Sequence, residues 1–530
     1  MQFARWTPRE TPTAQEKVLL KRLRRTRKLF AFLRLHRRAL FSESFQAELE
    51  AMYRDTGAGK PALPPALLAM ATLLQGYLGL SDVDATEATV TDLRWQMVLD
   101  CLGGTTPAFS QGTLYEFRHR LIRTDMDRRL LERTIELARE TRAFDWRKLP
   151  KSLRVAIDSS PLEGAGRVED TVNLLAHAAR NVVNCAAELL ERSPESVARV
   201  AGIPLLLASS VKRGLDVDWS DGDAKAQAVH RLAQQVESLE RWVREKLPEE
   251  LSHPPLREHL ETLGQVQSQD LEPDPSGGGK RIRRGVAEDR RISVEDKEMR
   301  HGRQSKSKRI DGYKRHVARA LDAPLILACA VTPANRPEAE AAPLLDEDVR
   351  RQGRSIRSLH VDRGYIASAL VDDVLGEGGE VVCKPWIARN GELFSKGDFE
   401  LNLRNLTITC PAGEIESIRV GTTVEFDADT CDSCELRGRC TTAARGKGRT
   451  VSIAENERLQ QRLRKQLASP AGRQRVRERV AVEHALAHIS SRQGNRARYR
   501  GVRKNAFDLR RAAALQNLES IQRELHRKAA

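Results

Sequence analysis

Apolar positions fall at helical spacing through most of the first 150 residues and switch to a period of two in short stretches beyond them. KVLLKRLRRTRKLFAFLRLHRRAL sets Leu19, Leu23, Phe30 and Leu33 among dense basic residues, and ALPPALLAMATLLQGYLGL is an apolar helix entered through prolines, which suit a first turn. SQGTLYEFRHRLI, Ser110–Ile122, follows a Gly- and Thr-rich turn and mixes Tyr115 and Phe117 with Arg118, His119 and Arg120. It fits the second helix of a helix-turn-helix, and equally an amphipathic helix with a solvated basic face. RVAIDSS, Arg154–Ser160, alternates as a strand does and carries a carboxylate near its end. Residues 168–250 return to helix, with Val229, Leu232, Val236, Leu239 and Val243 as a packing stripe; PDPSGGGK, 273–280, is a break. From 310 onward DGYKRHVARA and PLILACAVTPAN read as two strands, EAEAAPLLDEDVRRQ as a helix and SIRSLHVDRGY as a strand ending in Asp362. ASALVDDVLGEG follows as a helix stopped by Gly, and EVVCKPW as another strand. Residues 388–450 are loop-rich and 455–525 helical and basic. This order predicts an α/β chain: a helical N-terminal domain over 1–150, then a mixed-sheet domain over 151–530. That second domain holds a helical insertion at 165–290 and a cysteine-bearing, loop-rich insertion at 388–450.

At 530 residues the chain is too long for one compact core, which agrees with that division. Hydrophobic residues make up 40% and aromatics only 5%, so the core must be built mainly of Leu, Val, Ile and Ala. Lys and Arg number 89 against 73 Asp and Glu, a net charge of +16. Such an excess points to a polyanionic partner, most often nucleic acid, although a soluble basic protein without one has the same balance. No apolar run approaches the ~18 residues of a membrane span. The N-terminus lacks an apolar signal core, so a cytoplasmic location is expected. Eight cysteines are too few for a disulfide scaffold.

Three acids stand out by position. If the strands carrying Asp158 and Asp362 are parallel neighbours, both carboxylates reach one edge of the sheet, where ligands bind in open α/β sheets. Two unpaired carboxylates there repel, and a divalent cation with hard oxygen ligands, such as Mg²⁺, removes the conflict. In RVRERVAVEHALAHI, Arg475–Ile489, the apolar stripe Val482, Leu486 and Ile489 is flanked by Glu483, with Arg479 one turn earlier on the same face. Taken singly each acid is an ordinary turn, cap or surface residue. Only the ordered set carries information.

That set resembles the ribonuclease H-like core of DDE transposases from bacterial insertion sequences. VAIDSSPLEG, RHGRQSKSKRIDGYKRHVA, AVTPANRPE, HVDRGY and RVAVEHALAHI resemble segments of one large subgroup, and the likeness spans 60–520. It implies that Asp158, Asp362 and Glu483 hold two Mg²⁺ (or Mn²⁺) ions ~3.5–4 Å apart. A water is then activated to cut the transposon end, and the freed 3′-OH attacks target DNA. It further implies DNA as partner, a homodimer when two ends are paired, and a place beside the bacterial nucleoid. The subgroup's pattern is Tyr, two residues, Arg, three residues, Glu, six residues, Lys. Arg479 and Glu483 fit it, whereas Val476 and Ser490 stand at the Tyr and Lys positions; Arg492 or Arg496 could substitute for the lysine. No GxxxxGK[ST] loop is present, which agrees with a reaction that needs no ATP. An inactive DNA-binding regulator on the same fold, or a metal-dependent nuclease without strand joining, are the alternatives.

Cys431 and Cys434 form a C-x₂-C pair, a common zinc half-site, and with Cys410 and Cys440 would complete four ligands for a structural Zn²⁺. Such an ion would stabilise an insertion that looks too poor in apolar residues to fold alone. Free thiols or a redox pair are the alternatives. Cys101, Cys185, Cys329 and Cys383 read as packing residues. Two basic segments are candidate DNA contacts: RHGRQSKSKR with Arg303, Lys306 and Lys308, followed by Lys314, and SRQGNRARYRGVRK with Arg492, Arg496 and Arg498. Tyr499 in the second would stack on a base, and Arg479 joins the phosphate-facing set.

Overall fold

The structure, a computed structural model, describes residues 5–23, 28–53, 62–145, 151–275, 279–304 and 307–529. Strand β1 (Ser152–Glu163) is the centre of the architecture. Leu153, Val155, Ala156 and Ile157 are all fully buried, so this strand is covered on both faces, and alternation in its sequence understates its burial. After the hairpin β2 (Leu271–Pro273) and β3 (Lys280–Ile282) come β4 (Arg300–Arg303), β5 (Arg309–Ala320), β6 (Ile326–Pro333), β7 (Ser355–His360) and β8 (Glu380–Val382). The sheet runs β4-β5-β1-β7-β8, with β6 also on β5. Strand β4 pairs with Arg309–Gly312 of β5 and β6 with Tyr313–Arg319, so the two share one edge of that long strand. β5 is antiparallel to both β1 and β6, and β1 is parallel to β7. Therefore β1, β6 and β7 all end at the same side of the sheet. In the basic segment 300–309, Arg300–Arg303 form β4 and pair with the start of β5, whereas Lys306 lies outside the described residues.

Among the described residues eight helices, α1 (Ala14–Leu23) through α8 (Met126–Glu140), precede the sheet, in keeping with the helical spacing of the sequence. They do not form a separate core. A single apolar cluster runs from Phe30, Leu73 and Trp95 through Leu137 to Val155, Leu359 and Leu515. The link is the last helix, α21 (Val502–Ala529), which packs on α4 (Pro65–Leu78), α8, β5 and β6. Asn517 on this helix is fully buried. Its side chain accepts from the Ile326 N–H at 2.8 Å, donates to the Ile326 carbonyl at 2.9 Å and to Thr134 Oγ1 at 3.0 Å. It thereby satisfies the backbone at the start of an edge strand and ties it to α8. Arg510, two turns earlier on the same face, donates to Asp125 at 2.6 Å and Asp127 at 3.2 Å.

The helical insertion, α9 (Thr171–Leu189) through α13 (Leu256–Asp270), has its own core, to which Val229, Leu232, Val236, Leu239 and Val243 contribute as predicted. Positions 276–278 of the expected break lie outside the described residues. The helices α14 (Ala342–Arg351) and α15 (Ala369–Gly376) pack on β7. The cysteine-bearing segment holds short strands β9 (Glu400–Asn402) to β13 (Thr450–Ser452) and two short helices, α16 (Ala428–Ser433) and α17 (Arg437–Cys440). Phe399, Ile408, Ile418, Phe426, Val451 and Ile453 are buried together there, so the expectation that it lacks an apolar core is corrected. These residues lie many positions apart, and antiparallel pairing is what collects them.

The segment expected as one helix, Arg475–Ile489, is two. After α18 (Glu457–Ala468), α19 (Pro470–Arg477) ends before α20 (Val480–Gln493) begins. Across the join three backbone bonds span only three residues, the N–H groups of Glu478, Ala481 and Val482 donating to the carbonyls of Arg475, Glu478 and Arg479. The turn is tightened there as in a 3₁₀ helix, and Glu478 is held from β1 by Arg154.

Asn517→Ala leaves the Ile326 N–H and C=O buried without a partner, and should lower unfolding stability by about 2–3 kcal/mol in urea titration. A change under about 0.5 kcal/mol would contradict the role assigned to Asn517.

Candidate active site

Two residues past the last paired position on each strand, Ala156 opposite His360, stand Asp158 and Asp362. The parallel pairing expected from sequence is present; Asp362 lies just past the end of β7, whereas Asp158, expected near its strand's end, stands within β1, which stays paired with β5 as far as Glu163. Asp158 is 9% exposed. Its Oδ1 accepts from the Ser159 N–H at 2.8 Å and its Oδ2 from Arg479 Nη1 at 2.6 Å. The other terminal nitrogen of Arg479, Nη2, donates to Glu483 Oε1 at 2.6 Å. One guanidinium thus joins the first acid to the third. Arg479 reaches both because it lies in the tightened turn ahead of α20, while Val482, Leu486 and Ile489 fix that helix against the core. Asp362 caps its own turn, accepting from the Gly364 N–H at 2.9 Å. It lines one groove with Val361, Lys384, Val476, Arg479 and Glu483.

Burial pushes the Asp158 carboxyl up to about 6, and the charges of Asp362 and Glu483 push the same way, against Arg479 and the Ser159 N–H. Beneath the acids, His316 is fully buried between Tyr365 Oη at 2.7 Å and Thr332 Oγ1 at 2.9 Å. Burial draws its imidazole down to about 3, so it serves as a neutral tie between β5, β6 and the turn after Asp362.

A fourth acid is present that sequence reading left inside a helix. Glu338 precedes α14, and its Oε1 accepts from Ser159 Oγ. Burial raises its carboxyl, and Asp362 adds to the rise. The signal for it was topological: β6 ends on the same side as β1 and β7, so a residue just beyond β6 can reach their acids.

The donor set of Asp158, Asp362 and Glu483 is hard oxygen, three carboxylates against the single guanidinium of Arg479, which fits a divalent cation of the Mg²⁺ type. As arranged, with Arg479 between two of them, no group of three or more His, Cys, Asp or Glu among the described residues stands ready to hold a metal ion. The same holds for zinc. Cys410, Cys431, Cys434 and Cys440 surround a single hollow, and burial raises the Cys440 thiol with its three sulfur neighbours adding to that rise. Among the described residues they do not stand as a ready-made metal-ligand group. Cys185, Cys329 and Cys383 are buried as expected, and Cys101 only partly.

The expected DNA contacts divide. Arg303, Lys308, Arg496 and Arg498 are exposed. Lys314 donates to the Arg336 carbonyl at 2.9 Å, and Arg479 is taken by the two acids. Arg492 is paired with Glu519 at 2.8 Å, and Tyr499 packs edge-on against Phe507 with Arg118 over its ring. Tyr499 and Arg492 are therefore engaged within the protein, which corrects the expectation of a free stacking ring. Ser490, at the position where a lysine was expected, accepts from Arg315 Nη2 at 2.7 Å. Arg315 is 1% exposed and also donates to Ser160 Oγ, Gln493 Oε1 and the Gly494 carbonyl. It joins β1 to α20 at the place where a lysine would bring a second buried cation.

Two family models match the chain: a transposase domain over residues 19–120 and a transposase DDE domain over residues 406–522. The second match contains Glu483, Arg479 and the four clustered cysteines. No curated protein and no solved structure matches the chain.

A carboxyl lifted from its ordinary 3.8 to about 6 binds its proton more tightly in the folded chain than in the unfolded one. That preference contributes stability below about pH 4 and is lost as pH rises through about 6, on the order of 3 kcal/mol for Asp158. In EDTA, wild type should therefore lose melting temperature relative to Asp158→Asn between about pH 4 and 7. Parallel melting curves across that range would contradict the assignment.

Proposed function

Because the chain is a DDE transposase of an insertion sequence, we propose that Asp158, Asp362 and Glu483 form its catalytic centre, which cuts transposon ends and joins their 3′-OH groups to target DNA. The observation that carries this reading is the register of β1 and β7, which brings Asp158 and Asp362 to one sheet end, with Glu483 held to Asp158 through a shared guanidinium. The sheet order and the mixed strand directions support a ribonuclease H-like core. The same reading treats residues 1–150 as the part that recognises transposon ends.

Divalent metal ions bound by the three acids would activate a water and stabilise the leaving 3′ oxygen during in-line phosphoryl transfer. The chain's own contribution is positioning and charge. Burial of Asp158 keeps its demand for a positive partner high. Lys384 beside the groove, and exposed Arg303, Lys308, Arg496 and Arg498 on surrounding elements, would counter phosphate charge. Arg479, at the third acid's own helix, is placed to pass from carboxylate to phosphate, both of which take its paired N–H donors. Pairing two DNA ends implies a homodimer during the reaction.

The test uses DNA that flanks this coding sequence as donor, with Mg²⁺ and a target plasmid. Wild type should nick the ends, and a pre-cut end should yield joined product. Asp158→Asn should retain end binding and lose cleavage by about a thousandfold. Undiminished cleavage by Asp158→Asn would refute the catalytic assignment, and cleavage without joined product would leave a nuclease.

A further inference from the structure

We propose that Glu338 is a fourth carboxylate of this cation site, a positioning residue whose negative charge strengthens cation binding by Asp158 and Asp362; the inference rests on the proposed function above. Two contacts made by separate oxygens carry it. Oε1 accepts from Ser159 Oγ, and the Ser159 N–H is the group that fixes Asp158 Oδ1 at 2.8 Å. Oε2 lies against the turn that follows Asp362. A Cβ on Gly364 would stand 2.1 Å from it and 3.2 Å from Asp362 Oδ1, so only glycine leaves room for that carboxylate there. Glu338 is therefore wedged between the two segments that carry the aspartates. An acid serving only the helix dipole of α14 would face solvent, whereas this one turns inward.

The charges that act on it are the positive Lys314 from β5 and Arg479 ahead of α20, and the like charge of Asp362. Neither cation makes a hydrogen bond to it: Lys314 donates to the Arg336 carbonyl, and Arg479 donates to Asp158 and Glu483. Groups that hold and charge metal-ligating carboxylates from behind typically change metal affinity ten- to a hundredfold.

The experiment is calorimetric titration of Mn²⁺ into the full-length protein without DNA, beside thermal melting of each variant. Glu338→Gln keeps an oxygen acceptor for Ser159 and removes only the charge. It should melt like wild type and bind Mn²⁺ roughly tenfold more weakly or worse. Glu338→Asp should recover part of the loss, and Gly364→Ala, which crowds Oε2 while leaving the charge in the chain, should weaken binding too. Wild-type Mn²⁺ affinity in Glu338→Gln would overturn the proposal, as would wild-type affinity in Gly364→Ala should the first variant fail to fold. Asp158→Asn separates the two levels. If it abolishes Mn²⁺ binding while Glu338→Gln does not weaken it, only the role of Glu338 falls. If Asp158→Asn also binds like wild type, the catalytic reading falls with it.

Discussion

Like charges gathered at one end of a sheet are the constraint around which this chain is arranged. Parallel pairing of β1 with β7 delivers Asp158 and Asp362 together, and α20 adds Glu483. Carboxylates so placed cannot all ionise without a compensating cation. Arg479 compensates two of them with one planar group. The remaining demand shows in Asp158, whose carboxyl is lifted to about 6 despite that partner.

Much of the surrounding structure holds those elements in register. Arg315, buried without a carboxylate in contact, ties β1 to the end of α20 through Ser160, Ser490 and Gln493. His316 next to it stays neutral and secures Tyr365 beside the Asp362 turn. Asn517 closes the β6 edge against α21, and α21 joins the N-terminal helices to the sheet. A displacement in the helical region could not leave the acids untouched, because one apolar cluster runs through both.

The strands that carry Asp158 and Asp362 were legible because their periodicity is strong, and so was the helical character around Glu483. The strands and the stripe Val229–Val243 were legible for the same reason. Glu338 was not, because its role depends on which strand ends share a side, and that follows from antiparallel pairing at a distance. The core of the cysteine segment was hidden likewise: Ile408 and Val451 meet only after short strands pair. The break at Glu478–Arg479 escaped notice because no Pro or Gly marks it. Tyr499 and Arg492 looked like free surface groups, since local sequence cannot show that Phe507 and Glu519 would cover them.

The central claim is that the three acids act as one cation site from which Arg479 is displaced when the site is loaded. Anomalous diffraction from crystals of the DNA-bound protein grown in Mn²⁺ tests it most directly. The account predicts manganese density touching Asp158, Asp362 and Glu483, with the Arg479 guanidinium moved onto a phosphate. Manganese absent from these oxygens, with Arg479 still bridging Asp158 and Glu483 in the DNA complex, would contradict it.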